Sequence, residues 1–185
     1  MAAQPPICDF GWKAVDAELI GVDGKQHRIF DHKRENGLLV AFICNHCPYV
    51  KAMIERLVRD ATELAELGIG TVAISSNDAE RFPEDSFERM QDFARQHAFP
   101  FPYLYDEDQS VARAYGAVCT PDFFGFNGDL GLQYRGRIDA SRKVVAPEGT
   151  TRDLFDAMRQ VAETGKGPAD QIPSIGCSIK WKEIA

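Results

Sequence analysis

The sequence predicts an α/β domain in which a central mixed β-sheet is flanked by helices. Three observations lead to it. Leu38-Leu39-Val40-Ala41-Phe42-Ile43 is a short, β-rich apolar run of the kind that forms a buried strand. Behind it, Val50, Met53, Ile54, Leu57, Val58, Ala61, Leu64, Ala65 and Leu67 recur at helical spacing, and a second strand pattern, Ile69 to Ser75, follows. Later, two strand patterns meet around Asn127-Gly128-Asp129, a strong hairpin turn. Alternation of β and α implies a parallel core, and the closing hairpin adds antiparallel strands.

In chain order, residues 1–12 read as an extended segment packed on a single domain that spans residues 1–185. Ala14 to Asp31 alternates loosely around Val22-Asp23-Gly24-Lys25 and reads as an N-terminal β-hairpin. The Leu38–Ile43 strand runs into a helix that opens at Pro48 and stops at Gly68. After Ile69–Ser75, the polar tip Ser76-Asn77-Asp78 lies where parallel strands end, and so borders a site if one is built there. Arg81-Phe82-Pro83-Glu84-Asp85 is a connector, with Asp85 or Ser86 as N-cap of a helix to about His97 whose core face includes Phe87, Met90 and Phe93 or Ala94. Phe99 to Tyr105 ends in a short strand, Ser110 to Tyr115 is a short helix stopped by Gly116, and Asp122–Phe126 with Leu132–Arg137 forms the closing hairpin. A last amphipathic helix covers about Thr151 to Thr164, with Leu154, Phe155, Met158 and Val161 buried, and the tail 165–185 is extended.

Composition narrows the function. A chain of 185 residues fits one domain and buries roughly 70% of its unfolded surface without disulfide staples. With 21 basic and 28 acidic residues, a net charge of −7 and no basic block, it offers nothing to track a phosphate backbone, so nucleic acid is not an expected partner. No apolar run reaches the roughly 18 residues of a membrane span, and Met1 to Pro6 does not resemble a secretory signal; a cytoplasmic location without membrane partners is the expectation.

Five cysteines, Cys8, Cys44, Cys47, Cys119 and Cys177, are an odd, uneven set that does not form a structural framework. The pair Cys44-Asn45-His46-Cys47 is placed where a strand turns into a helix, and Pro48 at the first helical position makes Cys47 the N-cap. Free N–H groups and the positive end of the helix dipole stabilise a thiolate there. An i, i+3 dithiol can attack a disulfide with one sulfur and resolve the mixed disulfide with the other. His46, between them, is a candidate for tuning the thiolate. A metal-binding or metallochaperone reading uses Cys44, His46 and Cys47 with His97 as fourth ligand; the preferred reading has no metal and no cofactor.

Cys-x-x-Cys at the first strand-to-helix junction, with Thr120-Pro121 ahead of a ββα unit, resembles the thioredoxin fold over nearly the whole chain. The strings Phe42 to Lys51, Ala117 to Phe124, Tyr134 to Asp139 and Ile175 to Trp181 together are similar to the peroxiredoxin-like branch of that superfamily, the AhpC/TSA-like proteins. The resemblance implies a cis Thr120–Pro121 bond, whose preceding backbone pairs with a substrate chain and whose proline keeps metal off the dithiol. It further implies a thiol-disulfide oxidoreductase acting on a disulfide-containing protein, or on a small-molecule thiol or peroxide, with a thiol electron donor. By analogy with thioredoxin, Cys44 is the exposed attacking thiol and Cys47 the resolving one; alignment to peroxiredoxins, like the N-cap position, favours Cys47.

The departures are specific. In the peroxiredoxin pattern Pro-x-x-x-Thr-x-x-Cys the threonine position holds Cys44 and the proline position Val40, while Arg135 or Arg137 stands in for the arginine aimed at the thiolate. Against thioredoxin, Ile43 replaces the Trp before the dithiol, Asn45-His46 replaces Gly-Pro, and Leu38 occupies the place of the buried acid. A thiol-dependent peroxidase with Cys47 as peroxidatic thiol is therefore the alternative. Cys119 and Cys177 are further candidate thiols, Cys177 because its tail can fold back over the site as C-terminal resolving cysteines do in some peroxiredoxins.

Overall fold

A strand flanked by protein on both faces must be apolar on both, and β4 (Gly37–Phe42) is buried at every position. Its side chains alternate between two cores: Leu39, Ala41 and the following Ile43 enter one, and Leu38, Val40 and Phe42 the other. The computed structural model describes residues 2–144 and 146–183. Before β4 come β1 (Ala2–Ala3) and the hairpin β2 (Glu18–Gly21) and β3 (Gln26–Arg28). After it come α1 (Pro48–Glu66), β5 (Ile69–Ser75), α2 (Phe87–Gln96), β6 (Tyr103–Tyr105), α3 (Ser110–Tyr115), β7 (Cys119–Thr120), β8 (Asp122–Asn127), β9 (Leu132–Tyr134), α4 (Asp153–Thr164) and β10 (Gly176–Ser178).

The main sheet joins β3-β2-β6-β5 to β4-β8-β9, the two sets meeting where the Ile43 N–H donates to the Ile74 carbonyl at 2.9 Å, to give seven strands. β5 and β6 are parallel, whereas β2–β3, β2–β6, β4–β8 and β8–β9 are antiparallel, so the sheet is mixed as expected. α1 and α4 cover one face with Leu57, Leu64, Leu154 and Met158, and α3 with Ile29 and Phe126 fills the other. Pro48 supplies a preset φ at the first position of α1, and Cys47 is its N-cap.

The expected elements occur with two shortened. β9 ends at Tyr134 rather than Arg137 because the chain turns to the tail: Arg135 N–H donates to Gln171 Oε1 and Arg137 N–H to the Ile172 carbonyl. The last helix begins at Asp153 rather than Thr151. Ser86, not Asp85, caps α2, accepting from the Arg89 N–H. The tail and the N-terminal segment, expected to be only extended, contribute a second sheet ordered β1-β10-β7. Cys177 stands opposite both Ala2 and Thr120 in it.

Candidate active site

β4 delivers Cys44 and Cys47 to the N-terminus of α1, and the turn between them is fastened from below by a carboxylate. Asp85, fully buried, accepts the Asn45 N–H at 2.8 Å and the His46 N–H at 3.3 Å through Oδ1. Its Oδ2 accepts the Asn77 amide at 2.7 Å and lies 2.6 Å from His46 Nδ1. The Asn45 side chain is structural: Oδ1 accepts the Tyr103 hydroxyl at 2.9 Å and Nδ2 donates to the Glu84 carbonyl. The His46 ring stacks parallel to Phe82 and faces the carboxylate, so a charge on it is paired with Asp85 before it can act on a sulfur.

The Thr120–Pro121 peptide is cis. Thr120 lies against both sulfurs: its Oγ1 is 3.3 Å from Cys44 Sγ, and its carbonyl oxygen is 3.2 Å from Cys47 Sγ, placed to accept from that thiol when it is protonated. A cavity of about 110 Å³ beside this bend is walled by Tyr49, Met53, Pro121, Ile138 and Ile175.

The two thiols differ. Hydrogen bonding to Cys47, then burial and the Asp85 charge, push the Cys44 thiol well above its ordinary value. Cys47 is lowered to about 5, first by the hydrogen bond from Cys44, further by the Cys177 thiol and the Val50 and Cys177 N–H groups. Of the two sulfurs, the one at the N-cap is favoured to ionise. The exposure expected of Cys44 is not found: Cys44 is 1% and Cys47 0% exposed. Cys177 joins the dithiol, its own thiol raised to about 11 by burial and by the hydrogen bond to Cys47. Cys119 does not; it is buried, donates to the Pro121 carbonyl, and burial raises its thiol. Cys8 lies apart, raised to about 11 by burial and flanked by Arg135.

Both candidate arginines are ion-paired. Arg135 is held by Asp122 at 3.0 Å and by the Gly116 carbonyl, and Arg137 by Asp153 at 2.5 Å. Cys44 Sγ, a His46 ring nitrogen and an Asp85 oxygen lie within 4.8 Å of one another, three donors where a closed zinc site takes four. His97, the expected fourth ligand, pairs with Glu55. Among the described residues no helix is long and apolar enough to cross a membrane.

Asp85 was not among the site residues expected from the sequence. The available signal for Asp85 was its redundancy beside Ser86, since only one residue can cap α2. Ser76-Asn77-Asp78, by contrast, does border the site, through the Asn77 amide.

The seven-stranded mixed sheet, the cis bend and the cysteine pair at a helix N-terminus define a thioredoxin-fold protein. The chain belongs to the AhpC/TSA family, whose model matches residues 10–150. A thiol-based redox enzyme is the assignment that membership supports. An uncharacterized conserved protein from Geobacillus kaustophilus is similar at 45% identity and a TM-score of 0.93, over 100% of this chain and 98% of that one. A hypothetical protein from Sinorhizobium meliloti follows at 39% and 0.89, over 98% and 99%. Peroxidoxin BcpB from Mycobacterium tuberculosis shares the fold at 18% identity and a TM-score of 0.62, over 83% and 96%. No curated protein matches.

Proposed function

We propose that this protein is a thiol-disulfide oxidoreductase in which Cys44 and Cys47 cycle between dithiol and disulfide. The observation that carries the reading is the placement of the pair, with Cys47 at the N-cap of α1, Cys44 three residues before it and Thr120 against both sulfurs. Cys47 attacks a substrate disulfide, forming a mixed disulfide and releasing one thiolate. That thiolate takes up the Cys44 proton, and the Cys44 sulfur then attacks Cys47 Sγ. The Cys44–Cys47 bond forms, the mixed disulfide breaks, and the second substrate thiol leaves; a thiol electron donor reverses the steps. The peroxidase reading shares the Cys47 thiolate but has Cys44 in place of the threonine of the peroxiredoxin pattern, and both Arg135 and Arg137 are ion-paired.

A redox titration with mass spectrometric identification of the paired cysteines tests the reading. A Cys44–Cys47 disulfide as the oxidised product is expected. A Cys47–Cys177 product, with peroxide turnover coupled to thiol oxidation, would transfer the assignment to the peroxidase.

A further inference from the structure

Both sulfurs of the dithiol are closed to solvent, yet exchange with another protein requires sulfur-to-sulfur approach. The segment 174–182 closes the Cys47 side of the site, where Cys177 reaches that sulfur. β10 within it lies antiparallel to β7, Cys177 opposite Thr120 and Ser178 opposite Cys119, so it occupies the backbone edge beside Cys44 and Cys47. Fit is close: a Cβ on Gly176 would fall 2.1 Å from the Thr120 carbonyl oxygen. Ser174 Oγ fastens one end to the Pro121 carbonyl at 2.7 Å. At the other end the Lys180 N–H donates to Asn77 Oδ1 at 2.9 Å, and its carbonyl accepts from Asp78 N–H and Gln109 Nε2, each at 2.8 Å. Gln109 Oε1 also accepts the Lys182 N–H. Asn77 thus holds the tail with its oxygen and Asp85, the anchor of the dithiol turn, with its nitrogen.

We propose that residues 174–182 are a self-docked strand that gates the dithiol, and that the partner it stands in for is an extended polypeptide segment carrying a disulfide-bonded cysteine. The partner takes the Thr120 edge when β10 leaves. Cys177, at the ladder position facing Thr120, marks where the partner's sulfur arrives. The identity of the partner rests on the oxidoreductase reading; the gate itself does not. The latch residues are separable from the chemistry, because Gln109 holds the tail and touches neither sulfur.

The test is the rate at which Cys47 is alkylated by iodoacetamide and by a polymer-linked maleimide, followed by peptide mass spectrometry, with amide hydrogen exchange at Cys177 and Ile179 read alongside. Gln109→Asn withdraws the amide from Lys180 and Lys182 while tolerating the left-handed backbone at that position (φ 64). Gly176→Val forces β10 off Thr120. In the wild type both reagents are expected to react far more slowly than with a free thiolate, the bulky one more so. Gln109→Asn should raise Cys47 labelling and tail exchange together by roughly thirtyfold, the opening expected from the loss of its two hydrogen bonds to the tail. Cys47 labelled at the free-thiolate rate in the wild type, or unchanged in both variants, would overturn the gate. Faster labelling without any gain in turnover of a protein disulfide would leave the gate standing and remove the polypeptide partner.

Discussion

Asp85→Ala is the most informative single perturbation of the site. The carboxylate is fully buried and receives the Asn45 N–H, the His46 N–H and the Asn77 amide. Hydrogen bonds to a charged group contribute about 1.5–3 kcal/mol each. Removing the acid also removes its own desolvation cost, so the net loss is less than the sum; breaking a buried charged network from one side costs about 3–5 kcal/mol. That is a large fraction of the roughly 5–15 kcal/mol that holds such a domain together. Asp85→Asn retains one acceptor for the turn and should lose about half as much. It also removes the negative charge that helps push the Cys44 thiol up, so Cys44 becomes easier to ionise. Urea unfolding of the reduced protein gives the first quantity, and pH-dependent alkylation of Cys44 the second. A loss below about 1 kcal/mol for Asp85→Ala, no more than one neutral hydrogen bond, would refute the claim that this acid holds the dithiol turn.

Two further predictions concern ionisation and packing. The thiolate ultraviolet absorbance of the reduced protein should titrate with a midpoint near pH 5 for Cys47 rather than near 9, and Cys44→Ala, which removes the first cause of the shift, should move the midpoint up; an unchanged midpoint contradicts the assignment. Because the folded value lies below the unfolded one, this thiol's stabilisation is complete above about pH 9, shrinks as pH falls, and is gone below about 5. Arg135→Ala leaves buried Asp122 without its 3.0 Å partner and should cost about 3–5 kcal/mol at neutral pH, less in acid where Asp122 takes up a proton; an equal loss at both pH values in denaturant unfolding would exclude this cause.

What the chain discloses about itself depends on how local each cause is. β4 and α1 were legible because burial on two faces, and on one stripe, writes a period into neighbouring residues. Pro48 likewise announced Cys47 as the N-cap. Burial of Cys44 was invisible, since Thr120, which lies against its sulfur, is 76 residues away along the chain. Asp85 escaped for the same reason: it lies 39 residues from His46 in a connector where a carboxylate reads as one more helix cap. β7 and β10, two and three residues long, have no periodicity to read, and their pairing is dictated by the bend at Pro121 and the missing side chain of Gly176.

The double burial of β4 sets where this molecule can move. A strand whose alternate side chains are locked into two separate cores opens only when the domain unfolds, so the mount of Cys44 draws on the full global stability. The segment 174–182 draws on a handful of hydrogen bonds and a few buried side chains such as Ile179. Local stability is therefore steeply graded across a few ångströms, with the sulfurs on the rigid side. Substitutions in the tail can therefore change how it docks while the β4 mount of Cys44 stays intact.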